Sequence, residues 1–313
     1  EINEQPSVIA RALGAWISPE RDRVSCAAEA VDWRAVPRLT IVACGTAHYA
    51  SHVAKIWIER VARLPVEIEI ASEFRYREPP LPGGGVTMVV SQSGETADTL
   101  AALRYAKSMG QITLGLVNVT TSTIAREADI VLPIHAGPEI GVASTKAFTA
   151  MVLCMSALAV MIARKRGLID DTQERAQVDL LSTVPRLMAE TIALESEFQA
   201  LAQTISEADN ALFLGRGLMY PLALEGALKL KEITYMHAEG YAAGEIKHGP
   251  IALVDETTPI IVLAPYDGVF DKLASNMREV IGRKGRVAMI GDAYACAEMA
   301  DEVWRCVTLP RVD

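Results

Sequence analysis

The sequence predicts an α/β fold in which one parallel-sheet unit occurs twice. Three observations support this prediction: short aliphatic runs alternate with helical stretches, their order repeats in the second half of the chain, and the core residues are aliphatic. Half of the 313 residues are hydrophobic but only 5% are aromatic, which suits buried parallel strands covered by helices on both faces. A chain of this length is long enough for about two domains.

Four aliphatic runs in the first half are predicted to be strands. They are "LTIVACG" (39–45), "VTMVVSQSG" (86–94), "ITLGLVN" (112–118) and "IVLPIHAG" (130–137). Amphipathic or apolar helical stretches lie between them. Strands that alternate with helices predict a parallel sheet with helices on both of its faces.

The order of these elements recurs about 172 residues later, which is the signature of an internal repeat. The run "TIVACGT" is matched by "ALFLGRG", "VEIEIASEFRY" by "EGYAAGEIKHG", "TMVVSQSGET" by "TPIIVLAPYDG", "QITLGLVN" by "RVAMIGD", and "ADIVLPI" by "ADEVWRCVTLP". We therefore predict a tandem duplication. Residues 1–165 form the first domain with an N-terminal helical segment, 166–205 a charged helical linker, and 206–313 the second domain.

Charge and cysteine usage exclude several classes of protein. The formal net charge of −9 argues against nucleic acid as a partner, because phosphate neutralisation needs clustered Lys and Arg. The five cysteines are odd in number and show no C-x-x-C spacing, so a reducing cytoplasm fits better than a disulfide framework. No signal peptide is visible at the start. The apolar run at 151–163 is short for a bilayer span and predicts a buried helix instead of a membrane anchor.

The stretch "VVSQSGETADTL" (89–100) ends a predicted strand in clustered hydroxyl and amide side chains, without lysine or arginine. Ligands of open parallel sheets bind at the carboxyl ends of strands, and a helix start offers unpaired N–H groups and about half a positive charge. The phosphate-binding candidates are Ser91, Gln92, Ser93 and Thr96. Alternatively, Ser93 or Thr96 only caps the helix. The second copy reads "APYDG" here (264–268), so only the first copy is predicted to bind phosphate.

The neighbouring turn adds Cys44, Gly45 and Thr46 to this strand end. Cys44 is either a nucleophile or, as is commoner, a small buried residue. His48 and His52 are four residues apart on one helical face, but no third ligand stands at useful spacing, so no metal site is predicted. The "GRG" of the second half lacks the third glycine of a dinucleotide-binding turn, so no dinucleotide site is predicted there.

A group of charges in the second half is predicted to share one helical face. On a helix that starts near Pro221, Glu225, Lys229 and Glu232 are spaced by four and then three residues. One interpretation is a surface ion pair worth about 0.3–0.5 kcal/mol. Because the neighbours are mostly Ala, Leu, Ile and Gly, the other is an enclosed acid–base pair able to move protons. His248, in the loop "GEIKHGP", is either solvated or functional.

With these motifs in place, the chain resembles the isomerase portion of the glutamine–fructose-6-phosphate aminotransferases, which consists of two sugar isomerase (SIS) domains. The resemblance covers essentially the whole chain. Its segments are "EINEQP", "CGTA", "LPVEIEIASEFRYREPPL", "SQSGETADTL", "AGPEIGVASTKAF", "YPLALEGALKLKEITYMHAEGYAAGEIKHGP" and "IGD". It implies two tandem SIS domains, each a flavodoxin-like sandwich, and the conversion of fructose 6-phosphate and ammonia into glucosamine 6-phosphate in amino-sugar biosynthesis.

The resemblance also implies roles for individual residues. Those that match the family's phosphate grip and the pocket beside it are Ser91, Gln92, Ser93, Thr96, Cys44, Gly45 and Thr46. Those that match the loop holding the sugar hydroxyls are Val142, Ala143 and Ser144. Glu232 matches the base that moves a proton between C1 and C2, Lys229 assists it, and His248 matches the ring-opening histidine, which the family supplies from the other subunit. A cytoplasmic homodimer without metal or organic cofactor is therefore expected.

Three departures from the family pattern qualify these expectations. Ala47 stands where the family motif Cys-Gly-Thr-Ser has its serine. The family's N-terminal glutaminase domain precedes the isomerase part, whereas this sequence starts at Glu1. The family's C-terminal tail carries the lysine that forms a Schiff base, whereas this sequence stops at Asp313, so this chain alone is expected to bind the sugar phosphate without the covalent step. Two alternatives stay open: a stand-alone SIS isomerase or deaminase, and a non-catalytic sugar-phosphate-sensing module.

Overall fold

The computed structural model describes residues 1–312 and contains two five-stranded sheets in which every pairing is parallel. The strands of the first sheet are β1 (Leu39–Ala43), β2 (Val66–Ile70), β3 (Val86–Ser91), β4 (Ile112–Val117) and β5 (Ile130–Pro133). Those of the second are β6 (Asn210–Gly215), β7 (His237–Ala242), β8 (Pro259–Leu263), β9 (Arg286–Gly291) and β10 (Arg305–Thr308). The predicted α/β fold class is confirmed.

The two sheets have the same strand order, which confirms the predicted duplication. The first sheet is ordered β2-β1-β3-β4-β5, and the second, taken from its other edge, is ordered β7-β6-β8-β9-β10. In the first sheet Leu39 lies opposite both Val66 and Val86. In both sheets, therefore, the first strand of the unit lies between the second and third.

Eleven α-helices connect and flank the described strands. In the first half they are α1 (Gln5–Trp16), α2 (Gly45–Trp57), α3 (Ala71–Arg77), α4 (Ala97–Ser108), α5 (Thr123–Glu127) and α6 (Lys146–Lys165). They continue with α7 (Asp171–Ile192), α8 (Glu195–Ile205), α9 (Met219–Thr234), α10 (Phe270–Ile281) and α11 (Ala293–Met299). By length and composition α6 could cross a bilayer, but 78% of its apolar window is buried inside the protein, as the predicted core helix requires.

The first sheet owes its stability to aliphatic strands buried along their whole length. Every residue of β1 and of β3 is buried. On one face, Val42 and Val89 pack with Phe74 of α3 and Leu103 of α4. Central strands covered by helices on both faces need such continuous aliphatic runs, which is why these strands could be recognised in the sequence.

The second sheet is also covered on both faces, and its strand residues alternate between two clusters. Leu212 and Val262 belong to a cluster with Phe270 and Met277 of α10. Ala211, Phe213 and Ile261 belong to another cluster with Ala227 and Leu230 of α9. Alternate residues of a strand point to opposite faces, so α9 and α10 cover opposite sides of this sheet.

The chain forms two compact units, Glu1–Arg186 and Leu187–Asp313. The division falls within α7, and α7 and α8 together occupy most of the segment that the sequence predicts to be a helical linker. The domain limits 1–165, 166–205 and 206–313 stay a prediction.

The cysteines differ from the expectation in one respect. Cys296 of α11 and Cys306 of β10 form a disulfide with a Cα–Cα distance of 6.1 Å, whereas the sequence indicated no disulfide. The pair is separated by only ten residues, and its closeness depends on how α11 packs beside β10, which cysteine spacing does not reveal. Cys26, Cys44 and Cys154 are free thiols, and burial raises the pKa of Cys26 to about 11.

Candidate active site

A cavity of about 290 Å³ lies at the carboxyl ends of β1 and β3 in the first unit. Eight of the predicted ligand-binding residues line it: Cys44, Thr46, Ser91, Gln92, Ser93, Thr96, Val142 and Ser144. The structure thus brings together three segments that are far apart in the sequence. The two other predicted residues, Gly45 and Ala143, belong to the same turns but do not line the cavity.

The hydroxyl groups of the loop between β3 and α4 are arranged around its backbone. Ser91 Oγ lies 3.0 Å from Thr96 Oγ1 and accepts a hydrogen bond of 3.0 Å from the N–H of Gly94. Ser93 Oγ accepts a bond of 3.2 Å from the N–H of Glu95. Thr96 is the N-cap residue of α4, but its side chain makes no capping bond. The alternative that Thr96 serves only to cap the helix is therefore wrong.

Gly94 is required by the shape of this loop. Its φ is +67°, and a Cβ placed there would lie 1.9 Å from Ser122 Oγ. Ser122 in turn caps α5, accepting from the N–H of Ala125. A side chain at position 94 would be strained in φ and would collide with the cap of the next helix.

The one acidic residue of the loop has its carboxylate bonded outside the cavity. Glu95 Oε1 accepts bonds of 2.7 Å from the N–H of Thr123 and 3.2 Å from its hydroxyl. The Thr123 N–H is the main cause that lowers the pKa of Glu95. No lysine or arginine is among the described residues that line the cavity. An anion bound there would depend on hydroxyls, amide N–H groups and the N-terminus of α4.

A second loop, residues 139–145, reaches the cavity from the start of α6. Glu139 accepts bonds from Ser144 Oγ (2.9 Å) and from the N–H groups of Thr145 (2.8 Å) and Ala147 (3.2 Å). A carboxylate at the N-terminus of a helix is favoured by the helix dipole. The sequence analysis missed Glu139, because a glutamate several residues before the N-cap Thr145 matches no helix-capping pattern.

The two histidines of α2 do not form a metal site with other residues. His48 Nε2 and His52 Nε2 are 3.1 Å apart, and burial lowers the pKa of both rings, that of His52 to about 4. Within residues 1–312, no group of three potential metal ligands occurs. The pair is a neutral, mutually hydrogen-bonded contact.

In the second unit, the charged residues of α9 contact one another. Lys229 Nζ lies 3.3 Å from Glu225 Oε1 and 2.7 Å from Glu232 Oε2. Their side chains are only 7% (Glu225), 19% (Lys229) and 29% (Glu232) exposed, too little for the alternative of a surface ion pair. Gly240 of β7 allows α9 to pack close to this strand, because a Cβ at this position would lie 2.8 Å from the backbone of Leu224.

His248 does not join this cluster within the chain. It ends a 3₁₀ turn, Ala243–His248, and is exposed. No hydrogen bond or ion pair in the described part of the chain links it to Lys229 or Glu232. Gly249 follows with a φ of +141°, a conformation that only glycine adopts readily, so the chain turns sharply after the histidine.

Two parallel sheets of this order, with a hydroxyl-rich loop after the third strand of the first, define a tandem sugar isomerase architecture. The model of the SIS domain family matches residues 34–161 and 204–302. A solved structure described as the C-terminal domain of glucosamine-fructose-6-phosphate aminotransferase from Francisella tularensis is 39% identical and superposes with a TM-score of 0.94, covering 98% of this chain and 87% of that one. The chain therefore belongs to the SIS domain family, within the group formed by the C-terminal domains of glutamine–fructose-6-phosphate aminotransferases.

Curated relatives agree with this assignment. The glutamine–fructose-6-phosphate aminotransferase [isomerizing] of Bradyrhizobium diazoefficiens is 53% identical over 311 residues, and that of Brucella abortus is 53% identical over 312 residues. These matches cover 99% and 100% of this chain but 51% of each relative. The chain thus spans about half the length of the curated relatives it matches. The family resemblance predicted from the sequence motifs is confirmed.

Proposed function

We propose that the chain is the isomerase part of a glucosamine-6-phosphate synthase, which converts fructose 6-phosphate and ammonia into glucosamine 6-phosphate. The observation that carries the proposal is the cavity of the first unit. Serine, threonine and glutamine side chains surround the N-terminus of α4 there, and no lysine or arginine is among the described lining residues. A phosphate monoester suits such a site, because N–H groups and hydroxyls at a helix start bind an anion without a countercharge.

The proposed ligand is divided between two loops. Its phosphate is bound by Ser91, Gln92, Ser93 and Thr96, beside Cys44, Gly45 and Thr46. Its sugar hydroxyls are bound by the loop that carries Val142, Ala143 and Ser144. Support comes from the cavity lining, in which both loops take part, and from the hydrogen bond between Ser144 and Glu139, which orients the serine hydroxyl.

The proposed chemistry is a proton transfer between neighbouring carbons. Ammonia adds to the C2 carbonyl and water leaves, which gives an imine. Glu232 then removes a proton from C1 to form an enolamine and returns a proton to C2, so that C1 becomes the aldehyde carbon and C2 carries the amine. The Lys229 ammonium, 2.7 Å from Glu232, holds the carboxylate in place. The sequence of steps needs general acid–base catalysis and no metal or organic cofactor.

The remaining parts of the reaction are assigned to other polypeptide segments. Ammonia comes from glutamine through a glutaminase domain in the other half of the full-length protein. Support comes from the relatives, which are glutamine-dependent aminotransferases by name and about twice as long as this chain. His248 of the partner subunit opens the sugar ring, which requires a homodimer. We place the enzyme in the cytoplasm, where its phosphorylated substrate is found.

The test of this proposal compares fructose 6-phosphate with fructose in titration calorimetry on the chain. Fructose 6-phosphate is expected to bind at least about a hundredfold more tightly, because each hydrogen bond to a charged phosphate contributes about 1.5–3 kcal/mol. The substitution Ser93→Ala should weaken this binding, whereas Ser108→Ala, on the exposed end of α4, should not. Equal affinity for the two sugars would refute the phosphate site.

A further inference from the structure

The first residues of the chain are bonded to the loop that carries Val142 and Ser144. The Glu1 carboxylate accepts hydrogen bonds from the backbone N–H groups of Ile140 and Gly141, the latter at 3.2 Å from each oxygen. These contacts join positions about 140 residues apart in the sequence. The motif "EINEQP" thus has a structural partner, although the proposed reaction assigns it no part.

Glu4 makes a second contact with the other end of the same loop. Its Oε2 accepts a bond of 2.8 Å from Lys146 Nζ. Lys146 is the first residue of α6 and is only 2% exposed. A buried cation at the positive end of a helix is unfavourable on both counts. The Glu4 carboxylate offsets part of that cost and so favours the observed position of the lysine.

Little else holds the loop in its observed conformation. Ile140 is 90% exposed and Val142 is 93% exposed, so burial of apolar surface does not fix this segment. Glu139 binds its end near α6 through Ser144, Thr145 and Ala147. The part between Ile140 and Val142 has Glu1 as its anchor, and a segment with few packed contacts depends strongly on such bonds.

We propose that Glu1 and Glu4 are positioning residues, which hold the 139–145 loop so that Val142 and Ser144 meet the sugar part of the ligand. They act through the loop and do not touch the ligand themselves. Their removal is therefore expected to weaken binding of the sugar and to spare binding of the phosphate, which belongs to the Ser91–Thr96 loop. This inference rests on the proposed function.

The charge state of both residues agrees with this role. The N–H of Ile140 is the main cause that lowers the pKa of Glu1, and the hydrogen bond from Lys146 lowers the pKa of Glu4. Both carboxylates therefore stay ionised through mildly acidic pH. The contacts are fully present above the ordinary carboxyl range and are lost as the pH falls through the lowered values.

The experiment compares Glu1→Gln and Glu4→Gln with Glu20→Gln, which removes the same charge from an exposed residue of the same unit. Calorimetry measures the affinity for fructose 6-phosphate and, separately, for inorganic phosphate. Each loop variant is expected to bind fructose 6-phosphate about threefold to tenfold more weakly, since partly exposed charged contacts are modest. Its affinity for inorganic phosphate should match that of the control. The melting temperature of Glu1→Gln should also match, whereas Glu4→Gln leaves the buried Lys146 unpaired and should melt at a lower temperature. The exchanged pair Glu4→Lys/Lys146→Glu should bind better than Glu4→Lys alone.

Amide hydrogen exchange tests the loop contacts without any ligand. Glu1→Gln should speed exchange at Ile140 and Gly141, and leave Thr145 and Ala147 unchanged because Glu139 still binds them. Unchanged exchange together with unchanged sugar affinity would overturn the inference, and so would an equal loss of phosphate and sugar binding. If the unaltered chain does not bind fructose 6-phosphate, the proposed function fails, while the exchange rates still decide whether Glu1 holds the loop.

Discussion

The carboxyl end of the third strand meets different polar groups in the two units: hydroxyl groups in the first and a carboxylate in the second. In the first, β3 ends at Ser91, whose hydroxyl meets Thr96 and the N–H of Gly94 beside a cavity. In the second, β8 is followed by Ala264 and Pro265, and the N–H of Tyr266 donates to the Asp292 carboxylate. Asp292 also accepts from the N–H groups of Tyr294 and Ala295. A carboxylate of the protein itself thus accepts the hydrogen bonds of these N–H groups at this edge of the second sheet.

The helix after the first strand also differs between the units: it carries a neutral pair in the first unit and a charged pair in the second. In the first unit α2 carries His48 and His52, a pair kept neutral by burial. In the second unit α9 carries the contact between Lys229 and Glu232. The two units thus share a fold but differ in the polar groups they carry, so the proposed binding and the proposed proton transfer can be tested separately.

The largest expected effect comes from removing the proposed base in the second unit. Glu232→Gln keeps the size and a hydrogen bond to Lys229 but cannot take a proton. Turnover in the full-length protein is expected to fall by about 10²–10⁴-fold, the usual contribution of a general base. Loss of the C1 proton of fructose 6-phosphate into deuterated water measures the step directly. Affinity for fructose 6-phosphate should change less than about twofold, because the phosphate site lies in the other unit.

The matched control is Glu298→Gln, which alters an exposed glutamate of the same unit and should leave turnover unchanged. Normal proton exchange in Glu232→Gln would remove this residue from the mechanism. A parallel loss of binding would show that the division between the two units is wrong.

A smaller effect is expected at Gly94, which shapes the hydroxyl loop of the first unit. Gly94→Ala must adopt a φ of +67° and brings a Cβ to 1.9 Å from Ser122 Oγ. The left-handed conformation costs about 1–2 kcal/mol, and the overpacking adds about 1–3 kcal/mol. Urea denaturation is expected to show a loss of about 2–5 kcal/mol, with a clear decrease in fructose 6-phosphate affinity.

Gly84 separates the two contributions. Its φ is +73°, but no atom lies within 4 Å of a Cβ placed there. Gly84→Ala therefore has the conformational cost without the collision and should leave ligand affinity unaltered. If the two variants were equally stable, the close approach to Ser122 would not matter.

Much of the fold could be predicted because it depends on periodic features. The six residues of β3 are all buried, so the run "VTMVVS" was recognisable as a strand by itself. The internal repeat supported the same strand assignment a second time. The disulfide between Cys296 and Cys306 could not be predicted, since their approach depends on how α11 packs beside β10. Periodicity reports which face of an element is buried and not which loops meet.

The candidate site was predictable where one stretch of sequence carries it. Ser91, Gln92 and Ser93 are consecutive, and the α9 charges follow helical spacing, so both groups were visible. The bonds from Glu139 to the start of α6 and from Glu1 to Ile140 were missed. These carboxylates accept hydrogen bonds from backbone N–H groups, which have no signature in the sequence, and Glu1 is 139 residues away from its partner Ile140.

The smallest expected effect concerns Asp292, the carboxylate at the sheet edge of the second unit. Burial alone would raise its pKa, but the N–H groups of Tyr266, Ala295 and Tyr294 outweigh burial and lower it. A lowered pKa in the folded state contributes stability above the unfolded-state value of about 3.9, and this is lost as the pH falls through the folded value. Asp292→Ala should cost about 1–2 kcal/mol near neutral pH, as loss of a helix cap does, with less difference from the unaltered protein below about pH 3.

Two variants show whether the charge of Asp292 or only its hydrogen bonds matter. Asp292→Asn keeps an acceptor for the cap, so it should retain most of the stability at neutral pH but lose this part of the pH dependence. Asp301→Ala, at an exposed position nearby, should change neither. Denaturation of the three variants between about pH 2.5 and 7 distinguishes them, because the carboxyl titration falls in that range. If the stability of Asp292→Ala followed the pH profile of the unaltered protein in parallel, the ionised carboxylate would not stabilise these N–H groups. The two sheet edges would then differ only in that the second lacks the hydroxyl groups of the first.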